Sequence, residues 1–174
     1  MNNFHFKCMA VCLKLRDLFL PRKVILKEAD IKPGFVVLDY GCGVGSYSIL
    51  AAKMVGEKGK VYALDVHPLA VKAVQRAASK RGLKNIETIL SDCATGLGNE
   101  SVDVVLLCDT FHTLSQPKMV LKELQRVLKD DGVLLFNDHH LKEDEIMSRL
   151  TEEGLFKLSK KGRWIYSFVK QVQK

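Results

Sequence analysis

The residues able to bind or transform a ligand gather in a few short stretches. The first is Asp39-Tyr40-Gly41-Cys42-Gly43-Val44-Gly45-Ser46, an acid followed by glycines at alternate positions. Glycines so spaced let the backbone turn sharply and let a ligand approach where any Cβ would collide. The loop leads into helical periodicity from Ser46, and a helix N-terminus offers free N–H groups and a favourable dipole to a negative group. This is the pattern of a nucleotide-type ligand site. A Walker loop needs Gly-x-x-x-x-Gly-Lys-Ser/Thr, which the sequence lacks. A dinucleotide fingerprint needs Gly-x-Gly-x-x-Gly/Ala; Gly41 and Gly43 fit, but Ser46 takes the third place. The acid ahead of Gly41 suits a cation better than a pyrophosphate. The other stretches are Asp65-Val66, Asp92-Cys93, Cys108-Asp109-Thr110-Phe111-His112 and Asn137-Asp138-His139-His140.

Each stretch follows an apolar run. Phe35 to Leu38 reads as a buried parallel strand, and further strands are expected at Lys60–Leu64, Asn85–Leu90, Asp103–Cys108 and Val133–Phe136. Helices are expected over Ser46–Val55, from Pro68 to Arg81-Gly82, from Pro117 to Asp130-Asp131-Gly132, and over Glu143–Glu152. Residues 94–101 read as loop. Ahead of the first strand, Phe4, Cys8, Val11, Cys12, Leu15, Leu18 and Phe19 recur at helical spacing. Pro21 opens a second helix to about Glu28, and Pro33-Gly34 fits a type II turn. Leu155–Ser159 and Trp164–Val169 make a closing hairpin. The expectation is an α/β fold, a Rossmann-like, doubly wound, seven-stranded and mostly parallel sheet with an antiparallel C-terminal hairpin. It is expected as a single domain over residues 1–174, with N-terminal helices in 1–30 and the sheet core in 31–174. In such sheets ligands collect at the carboxyl ends of the strands.

Asp-x-Gly-x-Gly-x-Gly after a strand resembles motif I of class I S-adenosylmethionine-dependent methyltransferases, and the resemblance extends over roughly residues 22–170. It implies that Asp39, Gly41, Cys42, Gly43 and Gly45 hold the methionine end of that cofactor. Asp65 would then accept from the ribose hydroxyls and Val66 pack on the adenine. Asp92 and the N–H of Cys93 would serve the adenine edge, with Cys108 at the end of the fourth strand. NAD enzymes also place an acid like Asp65, so Asp92 discriminates better. The Asn/Asp/Ser-Pro-Pro-Tyr/Phe tetrapeptide of amino-group base methylases is absent, as is the Pro-Cys of cytosine-carbon methylases. The Asp109-x-x-His112 run looks more like the ubiquinone/menaquinone-biosynthesis group of small-molecule methyltransferases, the methyltransferase type 11 group. A base is needed only if the acceptor arrives protonated; His112 is the candidate, with His139 and His140 on the same rim. Resemblance also suggests that the N-terminal helix covers the cofactor cleft.

The chain has 174 residues, 47% hydrophobic and 27% charged, the composition of a globular protein able to build a core. No apolar run approaches the ~18–20 residues of a membrane span. Lys14, Arg16 and Asp17 break the N-terminal apolar stretch, against a secretory signal. Five cysteines without a C-x-x-C argue against a disulfide framework or zinc ribbon, so a reduced, cytoplasmic protein with no metal is expected. Cys8 and Cys12 share a helical face and could bind a soft metalloid, but their apolar spacing favours core packing. The net charge of +7 sits at the ends: +4 over residues 1–34 and +6 over 154–174, against −3 between them. Read functionally, basic ends attract RNA, an anionic membrane or an acidic metabolite; read structurally, they are solvated faces and lysines guarding an edge strand. The acceptor is therefore expected to be a small molecule. RNA and a non-catalytic adenosyl-ligand binding module or partner subunit remain as alternatives, and an NAD oxidoreductase as a more distant one.

Overall fold

The computed structural model describes residues 22–171. The Phe4–Phe19 stretch, with Cys8 and Cys12, lies outside the described residues. The elements in chain order are α1 (Arg22–Glu28), β1 (Val36–Tyr40), α2 (Ser46–Val55), β2 (Lys60–Asp65), α3 (Pro68–Ser79), β3 (Ile86–Leu90) and β4 (Val102–Cys108). A 3-10 turn at Phe111–Thr113, α4 (Pro117–Val127), β5 (Leu128–Asn137), α5 (Glu143–Thr151), β6 (Phe156–Lys161) and β7 (Tyr166–Lys170) follow. The seven strands form one sheet in the order β3-β2-β1-β4-β5-β7-β6. β1 to β5 run parallel, and β7 is antiparallel to both of its neighbours. This is the doubly wound, mostly parallel sheet with a terminal hairpin that the sequence implies. The strand order reverses between β1 and β4, which makes their carboxyl ends the switch point where a crevice opens.

Alternation along the strands sorts side chains to two faces. Leu38 and Tyr40 of β1 and Val105 and Leu107 of β4 pack with Val120, Leu124 and Leu128 and with α5 residues Ile146 and Leu150. Val37 of β1 and Val104, Leu106 and Cys108 of β4 face the other way, against Leu26, Tyr47, Ala51 and Val55 of α1 and α2. The turn into β1 takes the expected form: the Phe35 N–H donates to Lys32 O at 3.2 Å, with Gly34 at φ +88°. The loop of residues 94–101 is held to α4 by Glu123. That carboxylate accepts from the Thr95 N–H and hydroxyl at 2.8 and 2.6 Å and from Arg126.

Several boundaries move by a residue or two, α3 ending at Ser79 and the hairpin strands spanning Phe156–Lys161 and Tyr166–Lys170, and two differences matter more. β1 runs on to Tyr40, so Asp39 lies inside the strand rather than beyond it. α4 stops at Val127, and β5 begins at Leu128 instead of after Gly132. Leu128 pairs with Val102 while Val133 pairs with Val104, so residues 129–132 form an excursion between two points of pairing. Lys129 anchors that excursion on Asp103 at 2.5 Å, and Asp103 also accepts the Val36 N–H at 2.7 Å. Among the described residues no helix is long and apolar enough to cross a membrane.

Candidate active site

A cleft of about 710 Å³ opens at the carboxyl ends of β1, β2 and β4, walled by the glycine loop, the Asp65–Pro68 turn, Asp92, Asp109, Thr110 and residues 113–115. The loop is built by backbone contacts that leave no room for side chains. Gly41 and Cys42 both donate to Leu64 O, at 2.8 and 2.9 Å, which bends the chain over the end of β2. Gly41 adopts φ +80°, and a Cβ there would run into the Thr110 side chain. Gly45 caps α2 in the left-handed region, and its Cβ would press on Val74 Cγ2 of α3 at 2.9 Å.

Asp65 is the joint between the loop and the second strand. Its Oδ2 accepts the Gly43 N–H at 2.9 Å and its Oδ1 the His67 N–H at 2.8 Å. His67 caps α3 by accepting the Leu69 N–H at its Nδ1. Val66 is 67% exposed beside it, a large apolar side chain presented to the cleft. Asp92 also lines the cleft, and its carbonyl accepts the Tyr40 hydroxyl at 3.0 Å. Gly41, Cys42, Gly43, Asp65, Val66, Asp92 and Cys108 thus meet at one surface.

Three expected site residues stand apart from it. Asp39 points with Val37 to the α2 face, only 2% exposed, and accepts the hydroxyl of Ser48. Burial pushes its carboxyl up to about 6, with Ser48 and Arg22 opposing the shift and Asp65 adding to it. Gly45 is used for the loop-to-helix turn. Cys93 does not line the cleft, and its N–H is engaged by Ser91 Oγ at 3.3 Å. The thiols of Cys42 and Cys108 are both pushed well above the usual range, first by burial and then by Asp39.

Beside the cleft, the polar residues that follow β4 and β5 come together. His112 is held by Asp138, whose buried carboxylate accepts the His112 N–H at 3.0 Å and lies 2.9 Å from the ring Nδ1. Asp138 also accepts the His140 N–H at 3.1 Å. The rings of His112 and His140 lie 4.0 Å apart, and those of His140 and His139 4.1 Å apart. His139 Nδ1 is 2.6 Å from Asp109. These histidines adjoin the cleft without lining it, whereas Asp109 and Thr110 form part of its wall. Arg22 had no place in the sequence reading beyond its charge. It is 6% exposed, lines the cleft, and sits 4.5 Å over the Tyr47 ring and 3.7 Å from Asp109. A buried arginine cannot be told from a surface one before α1 is placed.

A family profile described as a methyltransferase domain matches residues 31–171. A demethylmenaquinone methyltransferase of Geobacillus stearothermophilus is 28% identical over 130 residues, 74% of this chain and 56% of that protein. A protein-L-isoaspartate O-methyltransferase of Pyrococcus horikoshii is 31% identical over 142 residues, 80% of this chain and 61% of that protein. The chain therefore spans little more than half the length of these curated relatives. Among solved structures, a SAM-dependent methyltransferase from Aquifex aeolicus superposes with a TM-score of 0.76 at 33% identity, over 87% of this chain and 89% of that one. The chain belongs to the class I S-adenosylmethionine-dependent methyltransferases.

Proposed function

We propose that this protein transfers a methyl group from S-adenosylmethionine to a small cytoplasmic molecule carrying a nucleophilic atom. The observation that carries the reading is the convergence of the glycine loop, Asp65 and Asp92 on one cleft at the switch point of the sheet. The residues present fit the cofactor. Gly41 leaves a cradle that a Cβ would fill, Val66 offers an apolar face to a base, and both Asp65 oxygens are aimed by backbone N–H groups. Each of those oxygens keeps a further acceptor site for a ribose hydroxyl. Asp92 serves the adenine amino group by the same logic.

When bound, the cofactor supplies an electrophilic methyl group on a sulfonium, open to in-line displacement. The chain's part is to hold the acceptor in line and keep water out, effects that supply much of the rate in such a reaction. Thr110, Thr113, Leu114 and Ser115 form the wall on the acceptor side. His112, fixed at Nδ1 by Asp138, is the group to receive a proton from an acceptor that arrives protonated.

The test follows labelled methyl from S-adenosylmethionine into a host extract resolved into small-molecule, lipid, RNA and protein fractions. Label in the small-molecule fraction, lost in Asp65→Ala, is the expected result. Label confined to RNA replaces the acceptor class. Absence of label despite binding of S-adenosylhomocysteine replaces the enzyme with a binding module or a subunit awaiting its partner.

A further inference from the structure

Between its basic ends, over residues 35–153, the chain is −3 as a whole (14 cations minus 17 acids). Yet residues 66–86 hold five cations and no acid: Lys72, Arg76, Lys80, Arg81 and Lys84. All five are exposed. The first three lie on α3 and its C-cap at intervals of four, which sets them in one line about 6 Å apart along the helix. The Arg81 guanidinium folds back on the helix end, donating to Ala77 O at 3.1 Å. The other side of α3, with Ala70, Val74 and Ala78, is buried on the sheet. Between Lys72 and Lys80 the remaining exposed residues are Gln75 and Ser79, both polar.

The cations of α4 and α5 are each paired. Lys118 and Lys122 lie 2.8 and 3.6 Å from Glu153, Arg126 lies 2.8 Å from Glu123, and Arg149 3.9 Å from Glu145. Lys72, Arg76, Lys80, Arg81 and Lys84 have no acidic partner among the described residues. The acids on the elements packed against α3 are engaged elsewhere: Glu87 of β3 by Lys60 at 3.1 Å, and Asp65 of β2 in the cleft wall. Helix α2, also packed there, adds Lys53 and no acid. Like charges four residues apart destabilise a helix. The helix dipole favours Arg76 and Lys80 near the C-terminus, but not Lys72 near the N-terminus.

A line of unneutralised cations complements a line of anions. Successive phosphates of a nucleic-acid strand recur at a comparable interval, and lysine, arginine and serine are among the side chains that contact them. A protein partner fits less well, because lysine is depleted from protein interfaces and α3 offers no exposed aromatic anchor. A lipid surface also fits less well: an interfacial helix buries its apolar face in the membrane, and that of α3 lies on the sheet. The β6–β7 hairpin is basic too, but α5, packed on β6, sets Glu143, Asp144 and Glu145 at its N-terminus. We infer that α3 is a docking surface for single-stranded RNA, whose backbone runs along Lys72, Arg76 and Lys80 and over the helix end to Arg81 and Lys84. A flexible strand follows a convex helix and the turn at its end, whereas a duplex is stiff over such lengths. Lys72 stands about 6 Å along the helix from Pro68, which lines the cleft, so the strand starts beside the cleft mouth. Binding is independent of which acceptor the cleft takes.

The test follows binding of the full 174-residue chain to a fluorescein-labelled single-stranded oligouridine by anisotropy, with no methyl donor present. Five phosphate contacts give a slope of log K against log salt of about −3.5, a fall of roughly 100-fold between 50 and 200 mM. Lys72→Gln, Arg76→Gln and Lys80→Gln combined should flatten that slope by about 2 and weaken binding at 50 mM by roughly 100-fold or more. Lys72→Arg with Lys80→Arg, which keeps the charges, should keep the slope. The control removes three exposed cations from the far edge of the sheet, as Lys157→Gln, Arg163→Gln and Lys160→Gln combined. That edge lies six strand spacings of about 4.8 Å from β3, well beyond a Debye length, so binding should change little. Equal losses in the two triple variants make net charge the cause and overturn the inference, as does a flat salt response or no binding by the wild type. Preference for duplex DNA over the oligouridine overturns it as well, and so do phosphatidylglycerol vesicles that displace the oligouridine.

Discussion

Replacing Asp39 by asparagine tests how the glycine motif is supported. The carboxyl lies 2% exposed on the α2 face of β1, bonded to the Ser48 hydroxyl. Burial raises it from 3.8 to about 6. A carboxylate raised in the folded state favours folding most when protonated in both states, below pH 4, and this advantage is lost as pH rises through 6. At about 1.4 kcal/mol per pH unit, the ionised form of Asp39 costs the folded protein about 3 kcal/mol at pH 7. Asparagine keeps an oxygen acceptor for Ser48 and carries no charge to desolvate. Urea unfolding of the two proteins from pH 3.5 to 8 should therefore give a stability difference that is constant below pH 4. Through pH 4–6 it should move by about 3 kcal/mol in favour of the variant, and then level off. Titrating groups that do not interact with Asp39 cancel in the difference. A flat difference would refute the account, because the carboxyl would then titrate alike in the folded and unfolded chains. A difference moving the other way would mean that Arg22 outweighs burial and holds the group ionised.

Gly41→Ala forces a side chain into the left-handed region and against Thr110, so a loss of about 2 kcal/mol is expected in urea melts. Adding Thr110→Ala should recover part of it; no recovery would mean that the backbone alone sets the penalty. Glu123, drawn down to about 2 chiefly by Arg126 and also by Thr95, ties the 94–101 loop to α4. A depressed carboxyl stabilises above its unfolded value and loses that effect as pH falls, so Glu123→Gln should cost roughly 1–2 kcal/mol at pH 7 and less toward pH 2. A penalty equal at both ends of that range would count against the ion pair. For the acceptor side, His112→Ala should lower methyl transfer, and Asp138→Asn, which loosens the hold on the His112 ring, should lower it less. Unchanged turnover in His112→Ala across neutral pH would end its role as base.

The alternation of apolar runs with helical periods gives away the sheet, because the central strands β1 and β4 are buried on both faces and must be apolar almost throughout. Asp65 is legible for a local reason: strand two ends where the apolar run ends. Asp39 is not. Its strand continues through an acid to Tyr40, and only the packing of α2 against β1 makes a buried carboxylate tolerable. The end of α4 is hidden in the same way, since Leu128 leaves the helix to pair with Val102, a partner distant in sequence. Asp109 and Arg22 illustrate the limit most plainly. Neither the φ of Asp109 nor the burial of Arg22 follows from neighbouring residues; the first goes with the bond of its N–H to Asn137 O at the end of β5, and the second depends on where α1 lies.

The thiols of Cys42 and Cys108 both line the cleft, and burial holds both well above the neutral range. Sulfur reacts as the thiolate. With S-adenosylmethionine in the cleft, as proposed above, an alkylating agent would lie beside these two sulfurs, and a thiol held protonated would resist it. The same burial that penalises a charge on either cysteine should leave both side chains slow to react with iodoacetamide at neutral pH.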